Sequence, residues 1–185
     1  MTELRQGSAH GRFQPLHLGH LEYLLATADA CDFLWVGITQ PESGDLRSDL
    51  AQPAHRYEAE ANPLTYWERN MLVEAALVES GMTRDRFRIV PFPIERPHVL
   101  PDYVPLDVRI YTTIYDEWNL RKITVLENVG YDVAVLWERS EKEFVGRNIR
   151  EQLRGGDSTW ETLVPASTVG LLKEFQIAER LAKAH

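Results

Sequence analysis

Runs of apolar, β-forming residues alternate along this chain with stretches of helical periodicity, an order that predicts a parallel α/β sheet. The run "FLWVGIT", Phe33–Thr39, reads as a buried strand after the helical "LEYLLATADA". "FRIVPF" from Phe87, "VRIYTTIY" from Val108 and "YDVAVLW" from Tyr131 read as three more. Thr65 and Glu68 have the spacing of a capping box ahead of an apolar face of Met71, Leu72, Ala75, Ala76 and Leu77, with Gly81 as the stop. Further helices are expected from Trp118 to Val129, stopped at Gly130, and from Gly146 to the break at Gly155 and Gly156. A single terminal helix should begin just after Pro165. The segment "RQGSAH" is small and polar and is a poor strand by pattern. Two outcomes are open for it: a tightly covered central strand in which Gly7, Ser8 and Ala9 let neighbours approach, or a loose segment. Two connections are long: residues 40–62, and Pro93–Pro105, whose four prolines exclude a regular helix through most of it. Both are expected to border a ligand site.

At 185 residues the expectation is one domain, residues 1–185, able to bury a continuous core. A lone cysteine, Cys31, rules out an internal disulfide framework and points to a reducing cytoplasm. No apolar run approaches the roughly 20 residues that span a bilayer, and the first residues carry no signal-peptide core, so no membrane role is expected. The formal net charge is −8, with Lys and Arg scattered, which argues against nucleic acid as a partner. A small anionic ligand is compatible with that charge only where cations are gathered locally.

The stretch "HGRFQPLHLGH", His10–His20, gathers them. It reads as a turn after a strand, opening into a helix whose first amides and dipole favour an anion. Gly11 and Gly19 admit a phosphate close to the backbone, Arg12 adds a bidentate charge, and His17 and His20 stand three residues apart. Zinc is the competing reading, but it needs three or four ligands, and no Cys/His cluster elsewhere offers the rest.

"GRFQPLHLGH" resembles the signature of the HxGH nucleotidylyltransferase superfamily, and is particularly similar to archaeal-type nicotinamide mononucleotide (NMN) adenylyltransferases. "NPLTYWER", "GYDV" and "LRGGDSTWETLVP" extend the resemblance over most of the chain. It implies a Rossmann-like doubly wound sheet of strand order 3-2-1-4-5 with helices on both faces, and an oligomer. It also implies attack by an anionic acceptor on the α-phosphorus of a nucleoside triphosphate, with pyrophosphate leaving. His17, His20 and Arg150 would be catalytic, His20 stabilising the transferring phosphoryl group. Gly11, Arg12, Phe13, Gln14 and Gly19 would bind the nucleotide and its phosphates from the first loop. Gly146, Arg147 and Asn148 would do so from a later one. Mg²⁺ is expected as cofactor through the phosphates, without direct protein ligands.

The departures are informative. Where the family's late phosphate loop reads SGTE, a hydrophobic residue and Arg, this chain has "VGRNIR": Val145 stands for serine, Arg147 for threonine and Asn148 for glutamate. The family's YSGNP-like acceptor segment is replaced by "YTTIYDEWNLRK", and its GSAQ by "ITQPES". The chain therefore resembles the NMN-adenylyltransferase-like cytidylyltransferases of phosphonate natural-product pathways, which load CMP onto a small phosphonate. Lys122 and Arg121 are the weaker candidates for holding such an acceptor. The alternatives are an NMN adenylyltransferase and a non-catalytic nucleotide-binding module. Trp67, Tyr66 and Trp118 are candidate base-stacking surfaces, though core packing is the commoner use of such aromatics. Asp116 and Glu117 could order a ribose or merely favour a helix start, and His55 and Arg56 could close over phosphates from the long connection.

Overall fold

A computed structural model of the protein describes residues 4–42, 59–141 and 143–183. Five strands, β1 Gln6–Gly11, β2 Phe33–Ile38, β3 Phe87–Pro91, β4 Arg109–Ile114 and β5 Val133–Glu138, form one sheet. Every pairing is parallel and the order is β3-β2-β1-β4-β5, as the resemblance implied. Six helices accompany it: α1 Leu18–Asp29, α2 Tyr66–Glu79, α3 Glu117–Val129, α4 Gly146–Gly155, α5 Ala166–Glu174 and α6 Ile177–Lys183. None of the described helices is long and apolar enough to cross a membrane.

Because successive strand residues face opposite sides of a sheet, β2 serves two cores. Leu34, Val36 and Ile38 join the larger one with residues of α1, α2, α4, α5 and α6. Trp35 packs against the other, where Leu126 of α3 meets Ile110, Phe92 and Leu100. The sheet is therefore covered on both faces, as a parallel sheet must be. The 3₁₀ turn Pro97–Asp102, in the proline-rich connection, contributes Leu100 to that second core.

The polar segment ahead of the first loop is the central strand, and small residues are what fit there. A Cβ on Gly7 would lie 2.9 Å from the Tyr111 ring and 3.0 Å from the Cys31 sulfur. Ser8 and Ala9 are completely buried. The capping box at α2 forms as its spacing predicts: Thr65 Oγ1 accepts from the Glu68 amide and Glu68 Oε2 accepts from the Thr65 amide. Gly130 ends α3 in the left-handed region, φ +113°, and Gly156 does so for α4 at +72°.

The expectation of one terminal helix is corrected. The chain breaks at Gln176, φ +54°, into α5 and α6, preceded by a 3₁₀ turn at Ser158–Leu163. The reason is burial: Leu172 and Leu181, nine residues apart, would point roughly 180° apart on one straight helix. With the break, both are 1% exposed in the same core. Most of the long 40–62 connection, including His55 and Arg56, lies outside the described residues.

Candidate active site

The first loop is fastened before it is functional. Phe13 has left-handed backbone, φ +52°, which turns its ring inward to complete burial, edge-on to His20 at 5.0 Å between centroids. The Gln14 carboxamide forms a two-way tie with Leu64 of the NPLT segment, donating at 2.9 Å and accepting at 3.0 Å. Arg69, the last residue of "NPLTYWER", is 1% exposed. Its guanidinium donates to the carbonyls of Arg12 at 3.1 Å, Thr39 at 2.7 Å and Gln40 at 2.7 Å. Burial pushes its pKa down to about 10, so it remains a cation at neutral pH. The two family-like motifs are thus one structural unit.

His17 caps α1. Its Nδ1 accepts from the His20 amide at 3.2 Å, so in the neutral ring the proton is on Nε2, the nitrogen able to donate. The two imidazoles stack with centroids 3.6 Å apart, and Phe144 flanks His17 on the other side at 6.2 Å. Gly19 is needed close by: a Cβ there would lie 3.2 Å from Phe144 and 3.4 Å from His17 Nδ1. Leu18 and Gly19 precede the first intrahelical bond of α1, so their amides and the positive helix end face the same opening.

A second helix mouth meets the first. Arg150 of α4 is 8% exposed and donates from Nη1 to the Gln14 carbonyl at 2.6 Å, and burial lowers its pKa from the ordinary arginine value. Gly146 fits beneath that bond, since a Cβ there would lie 3.1 Å from Gln14 O. Val145 stands at the α4 N-cap without a side-chain bond to the helix amides, leaving that end uncapped from within.

Between these mouths and the C-terminal ends of the strands lies a cavity of about 400 Å³. Such a crevice is expected where strand order reverses, here between β1 and β4. Gly11, Arg12, Gln14, His17, Gly19 and His20 line it from the first loop and α1. Gly146, Arg147 and Arg150 line it from α4, and Lys122 from α3. Arg147 also pairs with Glu151 at 2.9 Å along the exposed helix face. Among the charged lining residues are five cations, Arg12, Lys122, Arg139, Arg147 and Arg150, against two carboxylates, Glu22 and Glu143. Glu22 is in turn held by Arg139 at 2.7 and 3.0 Å. The cavity is locally positive on a chain of net charge −8.

Not every expected residue reaches it. Asn148 and Arg121 do not line the cavity, and the Phe13 ring is closed into the core. Trp118 lines the cavity, whereas Trp67 packs on Phe175 at 5.6 Å and Tyr66 against the main core. Asp116 caps α3 through the Asn119 amide at 3.0 Å, the structural alternative for that residue. Buried residues lining the cavity that were not singled out by sequence include His10, Gln40 and Thr112. The usable signal for His10 was a histidine at the end of a segment of small residues, directly ahead of the glycine-rich motif.

The cytidylyltransferase-like family profile matches residues 8–154, most of the chain and all of the sheet but the first two residues of β1. The chain belongs to the cytidylyltransferase-like family. It is a nucleotidylyltransferase. The chain is 43% identical to a phosphonoformate cytidylyltransferase of Streptomyces viridochromogenes over 95% of its length and 94% of that protein's. It is 28% identical to a nicotinamide-nucleotide adenylyltransferase of Ignicoccus hospitalis over 92% of both chains. Among solved structures, a bifunctional NMN adenylyltransferase/ADP-ribose pyrophosphatase from Francisella tularensis superposes with TM-score 0.64 at 15% identity. That match covers 96% of this chain and spans about half, 52%, of the other, and it supports the Rossmann-like fold of this cytidylyltransferase-like chain.

Proposed function

We propose that this enzyme transfers CMP from CTP to a small phosphonate of the phosphonoformate type, releasing pyrophosphate. The observation that carries the acceptor class is the 43% identity, over nearly the full length of both chains, to a protein named for that reaction. The nicotinamide-nucleotide adenylyltransferase relative stands lower, at 28%, and the chain departs from that pattern in its acceptor-side segments.

The chemistry needs no general base, because a phosphonate oxygen is already ionised at neutral pH. That oxygen attacks the α-phosphorus, a new P–O bond forms, the α–β bridging P–O bond breaks, and pyrophosphate leaves with the electron pair. The enzyme's task is to place two polyanions and to stabilise charge on the transferring phosphoryl group. In this reading His17 donates from Nε2 to the triphosphate, His20 to the α-phosphoryl oxygens, and Arg150 and the α1 and α4 mouths hold the remaining phosphate oxygens. Among the described residues no group of three or more His, Cys, Asp or Glu can hold a metal ion. The lining, rich in cations, instead suits phosphates that carry their own Mg²⁺. That ion would neutralise charge on the departing pyrophosphate.

A pyrophosphate-release assay across ATP, CTP, GTP and UTP, each with phosphonoformate, other small phosphonates and NMN, tests this. Release with CTP and a small phosphonate is expected. Release with ATP and NMN alone would replace the reading by NMN adenylylation, and release with no pair would favour a binding module.

A further inference from the structure

The cavity extends past the phosphate-binding mouths to a cleft in the sheet itself. The β1–β4 ladder pairs Gly7 with Arg109 and Ser8 with Ile110. Beyond it the Tyr23 hydroxyl enters between the strands, accepting from the His10 amide at 3.2 Å and donating to the Tyr111 carbonyl at 2.6 Å. The His10 side chain is held at this split. Its ring stacks on Phe92 with centroids 4.5 Å apart and planes 7° apart. Phe92 reaches that place because residue 37 is glycine, where a Cβ would lie 2.6 Å from the ring.

An imidazole supported so fully lacks a polar partner. His10 is 5% exposed, and neither ring nitrogen has a hydrogen-bond partner among the described residues. Thr112 Oγ1 and both polar atoms of the Gln40 carboxamide are in the same condition, at 1% and 5% exposure. All three residues line the cavity. Buried polar groups left unpaired are costly and call for a ligand. Their company names its charge: Lys122 lines the same cavity and lowers the His10 pKa, after the larger effect of burial.

We propose that His10, Thr112 and Gln40, with Lys122, form the seat for the acceptor's second acid group, making His10 a specificity-determining residue for compact two-acid acceptors. This rests on the transfer reading above and extends it. One end of the acceptor lies at the phosphate mouths to attack. The other accepts hydrogen bonds from the imidazole N–H, the Thr112 hydroxyl and the Gln40 amide, and meets the Lys122 ammonium. A bulky acceptor gains nothing from a cleft walled by Phe92 and Tyr23.

The test compares wild type with His10→Phe, which keeps the stack on Phe92, and with Thr112→Val, which keeps the shape. Calorimetry measures phosphonoformate binding in the presence of a non-hydrolysable CTP analogue, and steady-state kinetics give KM for each substrate. Loss of one hydrogen bond to a charged group predicts an acceptor Kd and KM raised about 10–100-fold in His10→Phe, with the affinity for the CTP analogue unchanged within about twofold. Thr112→Val should raise the acceptor values by a smaller factor in the same direction, and it decides the matter if His10→Phe fails to fold. Wild-type binding that survives both substitutions within about twofold overturns the seat while leaving cytidylyl transfer intact. Equal weakening of acceptor and CTP analogue overturns it as well. A wild-type enzyme that binds NMN and not phosphonoformate overturns the transfer reading and the seat together.

Discussion

Replacing Arg69 by Met tests the claim that a buried cation welds the two motifs into one site. Arg69 donates to four carbonyls, those of Thr65, Arg12, Thr39 and Gln40. Thr65 O keeps its helical partner, the Arg69 amide at 3.1 Å, so the substitution orphans three acceptors. At ~1–3 kcal/mol for each buried unsatisfied group the gross loss is ~3–9 kcal/mol. Against this stands relief of the burial penalty on the guanidinium. Burial brings its pKa down from the ordinary arginine value to about 10, worth roughly 3 kcal/mol at about 1.36 kcal/mol per pKa unit. The difference is ~0–6 kcal/mol, with a middle of about 3 kcal/mol, and for a chain of this size each kcal/mol lowers Tm by roughly 2–4 °C. Urea and thermal unfolding, followed by circular dichroism, measure it. Arg69→Lys should recover only part, because one compact ammonium cannot span the separate carbonyls that the planar fork reaches. An Arg69→Met protein more stable than wild type would refute the idea that these bonds hold the loop in place.

His20→Ala should reduce turnover by roughly 10²–10³, the usual consequence of losing one transition-state donor, with an unchanged circular-dichroism spectrum; near-normal turnover removes His20 from the chemistry. Gly146→Ala places a methyl group 3.1 Å from Gln14 O and 3.5 Å from Arg150 Nη1, so it should weaken triphosphate binding, read as a raised CTP KM, while Tm moves by only a few degrees. Glu68 is buried, which raises its pKa, but its bonds to Arg180 and Thr65 outweigh burial and hold it below the usual carboxylate range. Its stabilisation is therefore full above the unfolded value of about 4.3 and is lost as pH falls through the lower folded value. Glu68→Gln should cost about 1–2 kcal/mol at neutral pH, a gap that closes in unfolding experiments below about pH 4; a gap independent of pH would contradict the charged contact. His10, held neutral by burial and then by Lys122, has its folded pKa depressed. Stability should therefore decline as pH drops below the unfolded histidine value of about 6.5, by up to about 1.4 kcal/mol per pH unit, and His10→Phe should flatten that decline.

Much of this molecule is legible in the chain because its signals are local. The Thr65–Glu68 box, the glycine stops at Gly130 and Gly156 and the apolar strands each depend on neighbours within a few residues. The His10–His20 motif is equally local, and His17 and His20 meet where their spacing puts them. What escaped depends on contacts made across the fold. The α5–α6 break at Gln176 follows from two leucines needing one core. Gln14 looks like a ligand residue until Leu64, fifty residues on, takes both of its polar atoms. His10 hid for the converse reason: its neighbour Phe92 follows β3 and the room at Gly37 comes from β2, and only the assembled fold leaves its two nitrogens buried, unpaired among the described residues and facing a cavity.

The most direct single measurement is phosphorus NMR of the enzyme incubated with CTP, phosphonoformate and Mg²⁺. Nucleotidylyl transfer at this cavity predicts pyrophosphate appearing in step with a new product whose α-phosphorus is coupled to a phosphonate phosphorus. Unchanged CTP, or its hydrolysis without that coupled pair of signals, would contradict it.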